Sequence, residues 1–174
     1  MTVSIPRRRI LAQCVLALLT ALPFGAGSAM AAERQPVEVT KEMRCPVCGM
    51  YPAQYPAWRA QIIFKDNEAQ VFDSPVDMFR FLLAMPMFDK RHTAAEVDAV
   101  FVTDFVGRTW VNGRTAFYVA GSDAKGPMRE ANLPAFGDKA AALAFAGQHG
   151  GRVVAFGEVT RELLRSLGGA AHHH

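Results

Sequence analysis

Apolar positions along this chain alternate between short β-branched or aromatic runs and longer stretches at helical spacing. Residues 58–65 and 69–72 form two such runs around Asp66-Asn67, a pattern that predicts a β-hairpin. Ser74-Pro75-Val76-Asp77 then reads as a helix start, with Ser as the cap, Pro in the first turn and an acid against the helix dipole. The helix is expected to run to about Met85 and to end at Pro86. Val76, Met78, Phe79, Phe81, Leu82, Leu83 and Met85 leave it little polar face, so it should be buried against the hairpin. A strand is predicted over 97–105. A second hairpin is predicted over 109–120, turning at Asn112-Gly113. A loop over 121–132 carries Gly126-Pro127-Met128, and an alanine-rich helix over about 138–148 stops at Gly150-Gly151. A strand over 153–156 and a short helix over 160–167 complete the pattern.

The order strand, strand, helix thus occurs twice, and Phe72-Asp73-Ser74 before the first long helix parallels Phe136-Gly137-Asp138 before the second. This implies an α+β fold of two ββα-type lobes related as a weak internal repeat, over about 45–96 and 97–167. Residues 33–44 read as a polar linker. Pro46, Pro52 and Pro56 keep the segment 45–57 out of helix.

Residues 1–32 have a basic cluster, an apolar run and a small-residue end, the three parts of a secretory signal peptide, with cleavage expected after Ala32. Arg7-Arg8-Arg9-Ile10-Leu11 fits either an ordinary basic region or a twin-arginine signal. The apolar run is short for a bilayer span. Gln13 stands where a lipid-attachment site before Cys14 needs a small residue, so an exported periplasmic protein without a lipid anchor is expected. The chain has 19 basic and 16 acidic residues, and three of the arginines belong to the signal. The exported part is therefore neutral and lacks the cationic footprint of a nucleic-acid binder. Its length, about 140 residues, suffices for one core. Residues 168–174, Gly- and Ala-rich with three closing histidines, read as a flexible tail or a tag remnant.

Once the signal is removed, two cysteines remain, in Cys45-Pro46-Val47-Cys48-Gly49-Met50, which places three sulfur atoms within six residues. A disulfide across so small a loop would add little stability, so the pair points to metal or redox chemistry. Three chemistries compete. Two thiolates and a thioether suit soft Cu(I), which accepts two or three ligands. A structural zinc site needs four, and His92 and His149 are isolated rather than paired at ligand spacing. A thiol-disulfide reductase needs its first cysteine at a helix N-terminus with a depressed pKa, which the proline-rich sequence after Met50 does not offer. Met50 reads as a ligand or a gap-filling side chain. Met128, on a glycine-flanked loop, is harder to explain as core. Met78, Met85 and Met87 fall among large apolar residues and read as packing. His92 reads as a solvated loop residue and His149 as a helix-end residue. Asp73 and Asp77 are explained by the helix start, and Asp104 by the end of a strand. Neither a nucleophile elbow nor a His-Glu-x-x-His motif nor a phosphate-binding glycine loop occurs.

Several segments together resemble the NosL family. They are the cysteine motif, Ala60-Gln61-Ile62-Ile63-Phe64, Phe72-Asp73, Val100-Phe101-Val102-Thr103-Asp104, Trp110, and Ala116-Phe117-Tyr118-Val119-Ala120-Gly121-Ser122 with Gly126-Pro127-Met128. The resemblance implies a non-catalytic periplasmic copper chaperone that serves maturation of nitrous oxide reductase during denitrification. Its fold would be two ββα lobes similar to part of the organomercurial lyases. It implies Cu(I) held by cysteine and methionine sulfur, which maps onto Cys45, Cys48 and Met128, with Met50 adjacent. The expected partners are the client cuproenzyme, nitrous oxide reductase or similar, and a membrane copper-supply complex.

Overall fold

The first sheet is antiparallel and is built around a strand that is buried along its whole length. In this computed structural model, which describes residues 1–2 and 34–169, that strand is β1 (Ala60–Phe64). The signal-peptide expectation for 1–32 and the tail beyond Gly169 therefore lie outside the described residues, apart from Met1 and Thr2. β1 lies between β2 (Ala69–Phe72) and β3 (Val97–Thr103), and β4 (Trp110–Asn112) completes the order β2-β1-β3-β4. The polar Gln61 within β1 is fully buried. Its amide is satisfied by the backbone of Val37, which donates to Oε1 at 2.9 Å and accepts from Nε2 at 2.7 Å. These bonds pin the irregular segment 34–44 to the first sheet.

The hairpin β1–β2 forms as predicted, and Ser74 caps the helix after it, α1 (Pro75–Leu83), by accepting from the Asp77 N–H at 3.3 Å. Pro86 does not end this helix. The chain breaks at Ala84, and Pro86 opens a one-turn helix, α2 (Met85–Phe88), where its missing N–H costs nothing. Met78 and Met85 are buried as packing residues, whereas Met87 points outward and is 75% exposed.

The predicted second hairpin does not form. β4 pairs with the free edge of β3, in the register Val102↔Val111, whereas the following strand, β5 (Phe117–Ala120), enters a second sheet. That sheet has the order β6-β5-β7, with β6 (Ala135–Phe136) and β7 (Arg152–Ala155). The chain crosses between sheets at Gly113, whose carbonyl accepts from the buried Tyr118 hydroxyl at 2.7 Å. The first sheet thus ends with Asn112 and the second begins with Phe117. The helices α3 (Lys139–His149), capped by Asp138, and α4 (Arg161–Gly169) follow. The sheets are stitched by Asp104, whose carboxylate accepts from Gly107 N–H at 2.7 Å and Gly137 N–H at 2.9 Å. One apolar core runs through both, including Phe64, Phe72, Phe81, Tyr118, Leu133 and Leu164. A smaller core around Phe136 and Ala142 lies beneath α3.

Candidate metal centre

The cysteine loop closes on itself. Cys45 N–H donates to the Met50 carbonyl at 2.8 Å and Gly49 N–H to the Cys45 carbonyl at 2.9 Å. Gly49 takes φ +77°, a left-handed conformation that a side chain would strain. Arg44 braces the loop from outside, donating to the Gly49 carbonyl at 3.2 Å and lying over the Tyr51 ring at 4.2 Å. Met50 enters this arrangement through its backbone, and its side chain is half-buried.

Both thiols point at the start of α1. Cys48 Sγ donates to Asp73 Oδ1 at 3.1 Å, and Cys45 Sγ lies 3.7 Å from Asp77 Oδ2. Donor atoms of Cys45, Cys48, Asp73 and Asp77 all fall within 4.8 Å of one another. Cys45, Asp73 and Asp77 are each at most 2% exposed, and Cys48 is half-buried. Asp77 is partly neutralised by Arg80 at 2.8 Å, which also reaches toward Glu130 at 3.8 Å. Asp73 Oδ2 is buried with no hydrogen-bond partner, a costly state that a bound cation would relieve.

Burial pushes the Cys45 thiol up to about 11, helped by the charge of Asp73, although the backbone amides of Cys48 and Val47 pull the other way. Cys48 is raised further, first by burial and then by Asp73 and Asp77, against a lowering contribution from the Met50 amide. Burial thus favours the protonated thiol at both positions in the metal-free protein, and neither stands at a helix N-terminus. This is the opposite of what thiol-disulfide exchange requires.

Met128 is presented on a built turn. Arg129 N–H donates to the Gly126 carbonyl at 2.9 Å, Pro127 takes the second position, and Lys125 and Ala131 bridge at the base. A Cβ at Gly126 would sit 2.2 Å from Asn132 Nδ2, so only glycine fits there. Asn132 in turn ties the loop to α1 by accepting from Val76 N–H at 3.4 Å. The result is a small crevice shared by Met128, Asp73, Asp77, Arg80 and Glu130. Met128 itself is 49% exposed. The two carboxylates that the thiols face thus also line the crevice that holds Met128.

The two histidines are elsewhere. His92, expected in solvent, is buried, stacked 3.9 Å from the Phe64 ring and held between Asp89 (2.7 Å) and Asp66 (3.0 Å). His149 ends α3, stacked on Phe145 and bonded to Asp123 at 3.0 Å. Asp73 and Asp77 join the candidate cluster, although the sequence explained both as parts of a helix start. Their signal was the nearly all-apolar α1, in which an acid at Asp77 has no solvent-facing position to occupy.

A model of the NosL family matches residues 36–164. A protein of Stutzerimonas stutzeri described as "Copper-binding lipoprotein NosL" is 30% identical over 146 residues, covering 79% of this chain and 73% of that protein. A protein of Achromobacter cycloclastes with the same description is 28% identical over 167 residues, covering 90% and 82%. The fold is similar to the crystal structure of the copper chaperone NosL from Shewanella denitrificans, with a TM-score of 0.64 and 27% identity, over 75% of this chain and 98% of that one. With the α+β fold, the two antiparallel sheets and a family match that spans both the cysteine loop and the Met128 turn, this chain belongs to the NosL family.

Proposed function

We propose that this protein is an exported, non-catalytic copper carrier of the periplasm. It would hold Cu(I) through Cys45, Cys48 and Met128, with Met50 shaping the loop, and deliver it to a cuproenzyme, nitrous oxide reductase or one like it. The observation that carries the reading is the convergence of two thiols on Asp73 and Asp77, beside the crevice that also holds Met128. The copper-binding descriptions of the relatives support it.

The donor set suits the cargo. Soft sulfur favours Cu(I), and the buried carboxylates supply negative charge next to it, while the thiol protons displaced by the metal pass to solvent. A cation held by few ligands, one of them the half-exposed Met128, is open to attack by an incoming donor from the client. Copper then passes by ligand exchange down the affinity difference, without a free-ion step.

Zinc is the second reading, because Cys45, Cys48, Asp73 and Asp77 offer four donors within 4.8 Å. Against it, Asp77 is already engaged by Arg80. Titration of the reduced protein with Cu(I) and with Zn²⁺, each against a competing chelator, separates the two. Tight stoichiometric Cu(I) binding that is lost in Cys45→Ser and Cys48→Ser is expected. Binding of zinc alone, or Cu(I) binding indifferent to both substitutions, overturns the carrier reading.

A further inference from the structure

A groove of about 500 Å³ runs between α1 and α4 and has Arg80 among its lining residues. Its lining is mostly apolar, with Leu83, Ala84, Phe88 and Leu164, and includes three arginines, Arg80, Arg161 and Arg165. Two of these cations, Arg161 and Arg165, are weakly engaged within the protein. Arg161 donates to the Leu83 carbonyl and pairs with no carboxylate among the described residues. Arg165 pairs with Glu162 one turn away, with both side chains 74% exposed, a pair that solvent makes easy to exchange. Arg80 is shared, lining the groove while contacting Asp77 of the cysteine-carboxylate cluster at 2.8 Å.

From this arrangement we infer that the groove is the docking site for an apolar segment, bearing carboxylates, of the protein that accepts the copper. The inference rests on the carrier reading above. The charge complementarity is specific, because a guanidinium fork pairs bidentately with carboxylate while the apolar lining takes an aliphatic or aromatic anchor. The position identifies the partner. A molecule seated here touches a side chain that itself touches the metal cluster, and the acceptor is the partner that must come so close. A carboxylate arriving at Arg80 also competes with Asp77 and Glu130 for the same guanidinium, so docking alters the charge balance next to Cys45.

The test uses the full chain, loaded with Cu(I), over immobilised copper-free nitrous oxide reductase by surface plasmon resonance. Arg161→Glu/Arg165→Glu is compared with the native chain, and Arg161→Gln/Arg165→Gln serves if the charge-reversed protein fails to fold. Native binding should weaken with added salt, and the charge-reversed protein should bind about tenfold or more weakly while its Cu(I) affinity against a chelator stays within about twofold. Equal binding by the native and charge-reversed proteins overturns the docking site and leaves the carrier reading intact. Charge-sensitive binding by a protein that holds no Cu(I) against the chelator sinks the carrier reading, and with it the copper acceptor as occupant, while the groove still docks a protein. Absence of native binding to the reductase, or charge-sensitive retention only on phosphatidylglycerol vesicles, overturns the protein partner proposed here.

Discussion

Asp73 holds the Cys48 thiol at 3.1 Å with one oxygen, while its other oxygen is buried without a partner. A carboxylate so placed is costly in the metal-free protein and useful only if something cationic arrives. Asp73→Asn keeps the shape and removes the charge. It should weaken Cu(I) binding by about 10- to 100-fold, in the range seen when a group supporting a metal ligand is altered. The metal-free variant should melt at or above the native temperature, since a neutral amide costs less to bury than an unpaired carboxylate charge. Chelator competition and thermal unfolding on one preparation check both, and a loss of stability with unchanged affinity would make Asp73 a structural residue.

The contrast between Asp77 and Ser74 shows how far the sequence reaches. Ser74-Pro75 states a helix start in local terms, and the structure honours it because capping involves atoms three residues apart. Asp77 satisfies the same local rule for a first-turn acid, so its burial against Cys45, 32 positions away, was hidden behind an adequate local explanation. Asn112-Gly113 failed for a related reason. It is a turn sequence, but turn chemistry does not say which sheet edge the next strand joins, and β3 had an unpaired edge to offer. His92 sits between Lys90, Arg91 and Thr93 and looks solvated. Its burial depends on Asp66 and Phe64, far off in sequence. The elements and the sulfur motif were legible, whereas the carboxylates that complete the site were set by tertiary contact.

Met128 and Met78 provide an internal control. Met128 is 49% exposed on a turn, so Met128→Ala should change stability by no more than about 0.5 kcal/mol. Its Cu(I) affinity should nonetheless fall measurably. Met78 is fully buried in α1, so Met78→Ala should cost about 2–5 kcal/mol. If Met128→Ala melts early and binds Cu(I) normally, the residue is packing and not a ligand.

The turn that carries Met128 has its own test in Gly126→Ala. The new methyl group would meet Asn132, whose carbonyl oxygen accepts from Val76 and Leu133 N–H groups. A cost of about 1–3 kcal/mol is expected from this overpacking, together with weaker Cu(I) binding as the turn shifts. Normal unfolding and normal affinity would mean that Asn132 yields freely and does not fix the loop.

Copper affinity should depend on pH through the two thiols. Burial raises Cys45 to about 11 and Cys48 further, so at neutral pH both carry protons that Cu(I) must displace. Affinity therefore rises with pH, by about tenfold per unit for each thiol deprotonated on binding. Competition at pH 6, 7 and 8, corrected for protonation of the chelator, should give a slope between one and two decades per unit. A flat profile would exclude thiolate ligation.

His92 governs a different pH response, in the stability of the metal-free protein. Its Nδ1 lies 2.7 Å from Asp89 Oδ2 and its Nε2 3.0 Å from Asp66 Oδ2, so the ring makes both bonds only as imidazolium. Asp66 and then Asp89 raise its pKa above the usual histidine value, although burial opposes them. A folded-state pKa above the unfolded one means that the contribution is complete below the unfolded value, about 6.5, and is lost as pH rises through the folded one. His92→Gln retains a polar side chain but cannot hold both carboxylates. Thermal unfolding of native and variant proteins between pH 6 and 9 should show the native curve converging on the variant as pH rises, with the largest gap at the acid end. Parallel curves would mean that the ring is neutral throughout and that the stack on Phe64, rather than charge, holds it in place.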